Sequence, residues 1–212
     1  MTLITSKVDI CNLAVRHLKE EPISSITSPE TRSEKICAQY YDITRQAVLE
    51  SLQPAFAIKR ATVAADTVTP TFGWDYQSGT MPSDFIDIIG LYNSVGNLLI
   101  NTNNQYYAFE GNIILTDQTA PYNIQYVADI TDVSKYDYLF TMNLSYALSV
   151  AMSEAFKTSA TLLQVVNAKW DEWNNKARAA NGKHGGIIRV NESPYIRARR
   201  SPMVTGYNTR LV

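Results

Sequence analysis

Hydrophobic periodicity changes twice along this 212-residue chain, and the change limits the architectures open to it. Near the start, apolar side chains recur at helical spacing: Val8, Cys11, Val15 and Leu18, then Ile36, Tyr40, Ile43 and Ala47. Steps of three and four residues place such side chains on one helix face. From about Phe56 to Ile130 that spacing disappears, and short apolar runs alternate with stretches rich in Asn, Gly, Asp and Pro. This is the pattern of strands and turns. Helical spacing returns at Leu144, Leu148, Ala151 and Ala155, and again at Leu162, Val166, Trp170, Trp173 and Ala177.

An isolated amphipathic helix pair cannot hide its apolar stripe, so the two pairs are expected to close on each other. The predicted fold is α+β: a four-helix bundle formed by N-terminal and C-terminal helix pairs, with an inserted antiparallel β-sheet region and an extended C-terminal arm. The corresponding segments are 1–55 for the N-terminal helical hairpin, 56–131 for the β region, 132–182 for the C-terminal pair and 183–212 for the basic arm. Ser6 and Asp9 form a capping-box pattern for the first helix, which Pro22 should end. Ser28, Pro29 and Glu30 read as the start of the second, with Pro54 as its stop. The clearest strands are 85–92, 98–100, 106–109, 113–116 and 122–128, and the short turns between them favour a meander. Thr131 or Ser134 should cap the third helix, Ser159 should open the fourth, and Asn181 with Gly182 should stop it.

With 45% hydrophobic residues, nine Gly and eight Pro, the composition is that of a globular chain. The longest apolar or Gly run is the five residues 88–92, far short of the roughly 20 that span a bilayer. No membrane partner is therefore expected. Lys7 and Asp9 break any early apolar stretch, so the start does not read as a secretory signal and synthesis in a cytoplasm is expected. Cys11 and Cys37 lack paired spacing, which excludes a disulfide framework and a Cys-rich zinc site and leaves them as core thiols.

Charge is sparse and uneven. Residues 183–212 carry a net charge of +5, and the remainder carries −6. Such opposition suits a nucleic-acid arm or a segment docking on an acidic partner, including another copy of the same body. Within the arm, Arg197, Arg199 and Arg200 surround Tyr195 and Ile196, combining cationic donors with apolar anchors. A DNA contact, a protein groove and an unattached tail are all compatible with that pattern.

Motifs for chemistry are few. His17 and His184 have no metal-binding spacing, and His17 reads as a partly exposed structural residue beside the first helix's stripe. Residues 181–186 resemble a phosphate loop only superficially and read as a hinge. Asp84 with Asp87, and Asp129 with Asp132, are the acid pairs close enough to consider, yet they occupy ordinary turn and capping positions. Trp170 and Trp173 read as core or subunit-contact residues. The sequence assigns no catalytic residue, no cofactor and no metal.

One ordered set of residues does match a known family. The run VDICNLAVRHL at residues 8–18, followed by EPISSI at 21–26, resembles the opening of the tail tubular protein A family, the head-to-tail adaptors of short-tailed bacteriophages. Cys37, Tyr41, Arg45 and Leu49 follow a similar pattern in its second helix, succeeded by Pro54, Phe56, Ala57 and Arg60. GWDY at 73–76 and MPSDF at 81–85 are similar to its G-W-x-Y and L-P-x-D-F segments, and YIRAR at 195–199 is similar to a cluster near its end. Two positions depart. Lys19 stands where the family commonly has Gly, which should lengthen the first helix, and Ala55 stands where it often has Trp.

The resemblance implies a helical bundle with a β insertion, assembled as a ring of usually twelve copies in the virion neck, between the portal protein and the tail nozzle protein. Double-stranded DNA would pass through the lumen without sequence-specific binding during packaging and ejection. Tyr195, Ile196, Arg197, Arg199 and Arg200 would contact the portal or a neighbouring subunit. The competing expectations are a cell-wall hydrolase of the phage neck, built on paired carboxylates, and a DNA-binding module using the arm.

Overall fold

Ser6 begins the first helix as its neighbours predict. The structure, a computed structural model, describes residues 6–94, 96–99 and 106–184. In it Ser6 and Asp9 exchange side-chain-to-backbone hydrogen bonds of 3.1 and 3.0 Å, closing a capping box at the head of α1 (Lys7–His17). The helix ends before Pro22 and is not lengthened at Lys19. Leu18 caps it, and Lys19 turns into the left-handed region at φ 61°. The second helix, α2 (Arg32–Leu52), starts later than Ser28, because Thr31 and Glu34 supply a second capping box. Gln53 then turns left-handed at φ 48° and Pro54 blocks any continuation.

The C-terminal helices also move relative to the prediction. Asp137, not Thr131 or Ser134, caps α3 (Tyr138–Met152), while Asp132 caps a single 3-10 turn at Val133–Lys135. The helix stops at Met152, which leaves Ala155 outside it. Ser159 opens α4 (Ala160–His184) with a bond to Leu162 N. That helix continues through Asn181 and Gly182, so the expected stop is absent. Asn181 is instead tied to the end of α2, its side-chain amide donating to Leu52 O at 3.0 Å.

These four helices do not form the predicted four-helix bundle. α1, α2 and α4 each pack on α3, whereas α1 touches α2 only sparingly, near Cys11 and Cys37. The N-terminal pair is therefore not a tight hairpin. The cause lies in α3. Phe140, Leu144, Ala147, Leu148 and Met152 are buried together with Thr141, Asn143, Ser145 and Ser149, so this helix is covered on several faces. A helix buried around most of its circumference belongs at the centre of a group, not in one wall of a symmetric bundle. Its small hydroxyls make that burial tolerable: Ser149 Oγ donates within its own helix to Ser145 O at 2.8 Å and across to Ala14 O at 3.0 Å.

The β region forms two antiparallel sheets, not a meander. Its strands are β1 (Ile58–Val63), β2 (Tyr76–Ser78), β3 (Phe85–Tyr92), β4 (Leu98–Leu99), β5 (Tyr107–Glu110), β6 (Ile113–Thr116) and β7 (Tyr122–Ala128). One sheet has the order β1-β7-β3-β4 and the other β2-β6-β5. In a meander β7 would lie at an edge. Tyr122, Ile124, Tyr126, Val127 and Ala128 are all buried, so β7 takes a central place with ladders on both sides. The edge passes to β1, whose Lys59 and Arg60 face solvent. Where β3 passes β4, a Cβ on Gly90 would lie 2.6 Å from Leu99 O, so only glycine fits. One apolar cluster runs from Ile10 and Cys37 through Leu144 and Leu148 to Val63, Leu91, Ile114 and Val127, uniting helices and both sheets.

Candidate functional site

Arg45 occupies the middle of the stripe Cys37, Tyr41, Val48, Leu49 and Leu52 on α2 and is 2% exposed. A cation there requires partners. Both oxygens of Asp129, just beyond β7, accept from its guanidinium, which also donates to Ile130 O at 3.1 Å and to Asp42 at 3.2 Å. Gln46 donates to Asp129 as well, at 3.0 Å. Burial pushes the Asp129 carboxyl up, but the bonds from Arg45 and Gln46 outweigh it and hold the group below its usual range. Burial likewise favours loss of the Arg45 proton, and Asp129 reverses that. This pair, its guanidinium buried and its carboxylate partly exposed, fastens α2 to the β region.

Glu34 is a second buried charge, 3% exposed. Its carboxylate accepts from the backbone N–H groups of Thr31, Glu30, Ser24 and Ser25 and from Ser24 Oγ, at 2.7 to 3.2 Å. The Thr31 and Ser24 bonds hold its pKa far below the ordinary carboxylate range. The loop before α2 is thus wrapped around one carboxylate. Sequence reading missed both roles. Thr31-x-x-Glu34 is a capping-box signature, and an Arg in register with an apolar stripe signals a buried pair, so the cues were present.

The acid pairs weighed as hydrolase candidates fall into structural positions. Lys59 donates to Asp84 at 2.6 Å and Tyr126 at 3.0 Å, and the Lys59 bond chiefly lowers the Asp84 pKa. Asp87 lies 3.5 Å from the Gln53 amide. Asp132 accepts from the Ser134 hydroxyl and N–H, which lower its pKa. A glycosidase acid requires the opposite shift, upward toward neutrality. His17 stacks on Tyr146 at 4.0 Å and meets Ser145 Oγ at 3.3 Å, while burial lowers its pKa. Trp170 packs against the core, and Trp173 meets Tyr138 edge to face with Lys176 above its ring.

A groove of about 340 Å³ opens on the three-stranded sheet. Registers Gln77↔Leu115 and Glu110↔Ile113 place these four residues on one sheet face, while Ser78, Ile114 and Thr116 turn into the core. The loop from Pro70 to Trp74 forms the facing wall. Phe72 in that loop is 87% exposed, which is unusual for the largest apolar side chains. Glu110 lines the groove, and three further carboxylates lie near its lining residues. Asp66 accepts from Gly79 N beside Ile113 and close to Glu110, and Asp117 accepts from Asp75 N beside Trp74. None of these four acids forms a salt bridge among the described residues.

The predicted contact residues Tyr195, Ile196, Arg197, Arg199 and Arg200 lie outside the described residues. Among those described, no helix is long and apolar enough to cross a membrane, and no group of three or more His, Cys, Asp or Glu is arranged to hold a metal. A scan of protein-family models and a search of curated proteins return no match to the chain.

Proposed function

We propose that this chain is a structural adaptor of the tail tubular protein A kind, forming a ring in the neck of a short-tailed phage between portal and nozzle. One observation carries the reading: the residues that resemble the family serve as joints in a single fold. Cys11, Cys37, Tyr41 and Leu49 are buried together, Arg45 bridges α2 to β7, and Asp84 and Phe85 begin β3 against Tyr126. Even the departure at Lys19 agrees, because its φ of 61° is a backbone state that glycine adopts without strain.

Charge supports the same reading. Residues 61–134 contain no Lys or Arg and eight Asp or Glu. An acidic channel wall repels phosphates and leaves DNA free to slide, whereas a basic one retains it. In the ring, the segment 183–212 would fasten each copy to the portal or to its neighbour. Imaging of intact particles tests the assignment: density for this chain is expected at the neck, and its location elsewhere would overturn the reading. Deleting residues 187–212 should leave a folded subunit that no longer co-sediments with portal rings. Normal co-sedimentation would show that the body alone makes the joint.

A further inference from the structure

We infer that the groove between the Pro70–Trp74 loop and the outer face of β6 is the receptor for residues 194–200 of a neighbouring copy of this chain. The inference deepens the ring reading, on which it rests for the neighbour as donor. Three observations select this occupant. The groove is apolar along its floor and wall, through Ile113, Leu115, Trp74 and the outstanding Phe72. Glu110 lines it, and Asp66, Asp75 and Asp117 neighbour its lining residues, four carboxylates in no salt bridge among the described residues. The matching chemistry lies in the same chain: residues 185–212 hold five Arg against Glu192 alone, and Tyr195-Ile196-Arg197-Ala198-Arg199-Arg200 alternates apolar and cationic side chains.

The fit is chemical at each point. Tyr195 or Ile196 would cover Phe72 and Leu115, removing exposed apolar surface from water. Arg197 and Arg199 would meet these carboxylates, where the planar guanidinium forms paired bonds that lysine cannot. An arginine over Trp74 or Phe72 gains a further contact with the ring face. The connecting segment is long. Residue 195 lies eleven positions beyond His184, the end of α4, so the link spans up to about 36 Å at roughly 3.3 Å per residue. α4 is moored to the end of α2, only six positions before β1 begins, so the segment departs from the junction of helices and sheets. Each copy then offers two different surfaces, a segment and a groove, as a closed head-to-tail ring requires.

Cross-linking of the full-length chain tests this directly. An isotope-labelled population carrying Thr71→Cys is mixed with an unlabelled one carrying Ile196→Cys, and a short bis-maleimide is added over a concentration series. Cys11 and Cys37 are buried and interfere little. Labelled-to-unlabelled links are expected, increasing with concentration and exceeding those formed with a Glu154→Cys control on the helical side. Replacing Arg197 and Arg199 by Glu, outside the described fold, should lower the yield about tenfold, the effect of losing roughly 1.4 kcal/mol of attraction. Neutralising Asp66, Asp75, Glu110 and Asp117 should do the same in a variant whose circular dichroism is unchanged. A yield no higher than the control, or one indifferent to the Arg197 and Arg199 reversal, overturns the proposal. In a chain bearing both Thr71→Cys and Ile196→Cys, concentration-independent links within one chain also overturn it, by placing each segment in its own groove. None of these readouts involves the portal, so failure here is distinguishable from failure of the adaptor reading.

Discussion

The helical region and the three-stranded sheet treat charge in opposite ways. Among the helices, buried Glu34 and Arg45 are each surrounded by partners within hydrogen-bond distance, and exposed Glu172 is held between Lys169 and Lys176. On the sheet, Asp66, Asp75, Glu110 and Asp117 are paired with no cation among the described residues, and Phe72 stands in water. The three helical charges find their partners within the described fold. Beside this sheet, carboxylates that lack a cation among the described residues lie near an exposed phenyl ring, the kind of surface at which a contact is expected.

The largest effect should come from breaking the seam between the regions. Asp129→Ala leaves the Arg45 guanidinium buried without its main carboxylate partner, with Asp42 and Ile130 O still in reach. Removing one member of a buried pair costs about 3 kcal/mol or more, because the survivor keeps its desolvation penalty. Urea unfolding should show this loss as a fall in midpoint, whereas Phe72→Ala on the open sheet should stay within about 0.5 kcal/mol. Similar losses for the two variants would erase the contrast and show Phe72 to be a packing residue.

The same contrast decides what was legible in sequence. Strands 85–92, 113–116 and 122–128 were read with their observed bounds, because each is an apolar run between turn residues. β1 was not singled out: Lys59 and Arg60 interrupt its apolar alternation, as edge strands allow. Strand order was inaccessible for a different reason. Pairing of β7 with β1 joins Tyr122 to Val63 across some sixty residues, and local turns carry no record of it. The bundle prediction failed because stripe counting assigned one apolar face to α3, while Ser145 and Ser149 are buried through bonds that a hydrophobicity pattern does not register. The groove needed the register of β6 against β2 and β5, although Gly73 and Trp74 of its wall stand in the GWDY motif.

A smaller effect concerns Glu34 and carries a pH signature. Its folded pKa is depressed below the ordinary value of about 4.5, so its stabilisation is complete above that value and declines as pH falls through the folded value. Glu34→Gln should therefore lower the thermal midpoint at pH 7, and the gap to the parent should narrow progressively below about pH 4.5. Glu50→Gln on the exposed side of α2 should leave the midpoint almost unchanged. A gap independent of pH would mean that the carboxylate contributes by shape and not by charge.

The smallest effect tests a difference in backbone conformation. In the β region the left-handed turns use Gly73, Gly96 and Gly111, together with Asn112, residues suited to positive φ. At the helix ends the same conformation falls to Lys19, Gln53 and Lys157, which bear a Cβ that crowds the following carbonyl. Strain of about 1 to 2 kcal/mol is expected at each. Lys19→Gly removes it, while the greater freedom of glycine in the unfolded chain returns about 0.5 to 1 kcal/mol. A net gain of roughly 0.5 kcal/mol should appear as a small rise in urea midpoint with unchanged slope. Lys19→Val should move the midpoint the other way, because β-branching deepens the clash. A loss on Lys19→Gly would show that the lysine side chain, not the backbone it tolerates, holds the turn after α1, and the proposed likeness of this position to a glycine of the adaptor family would lose its physical basis.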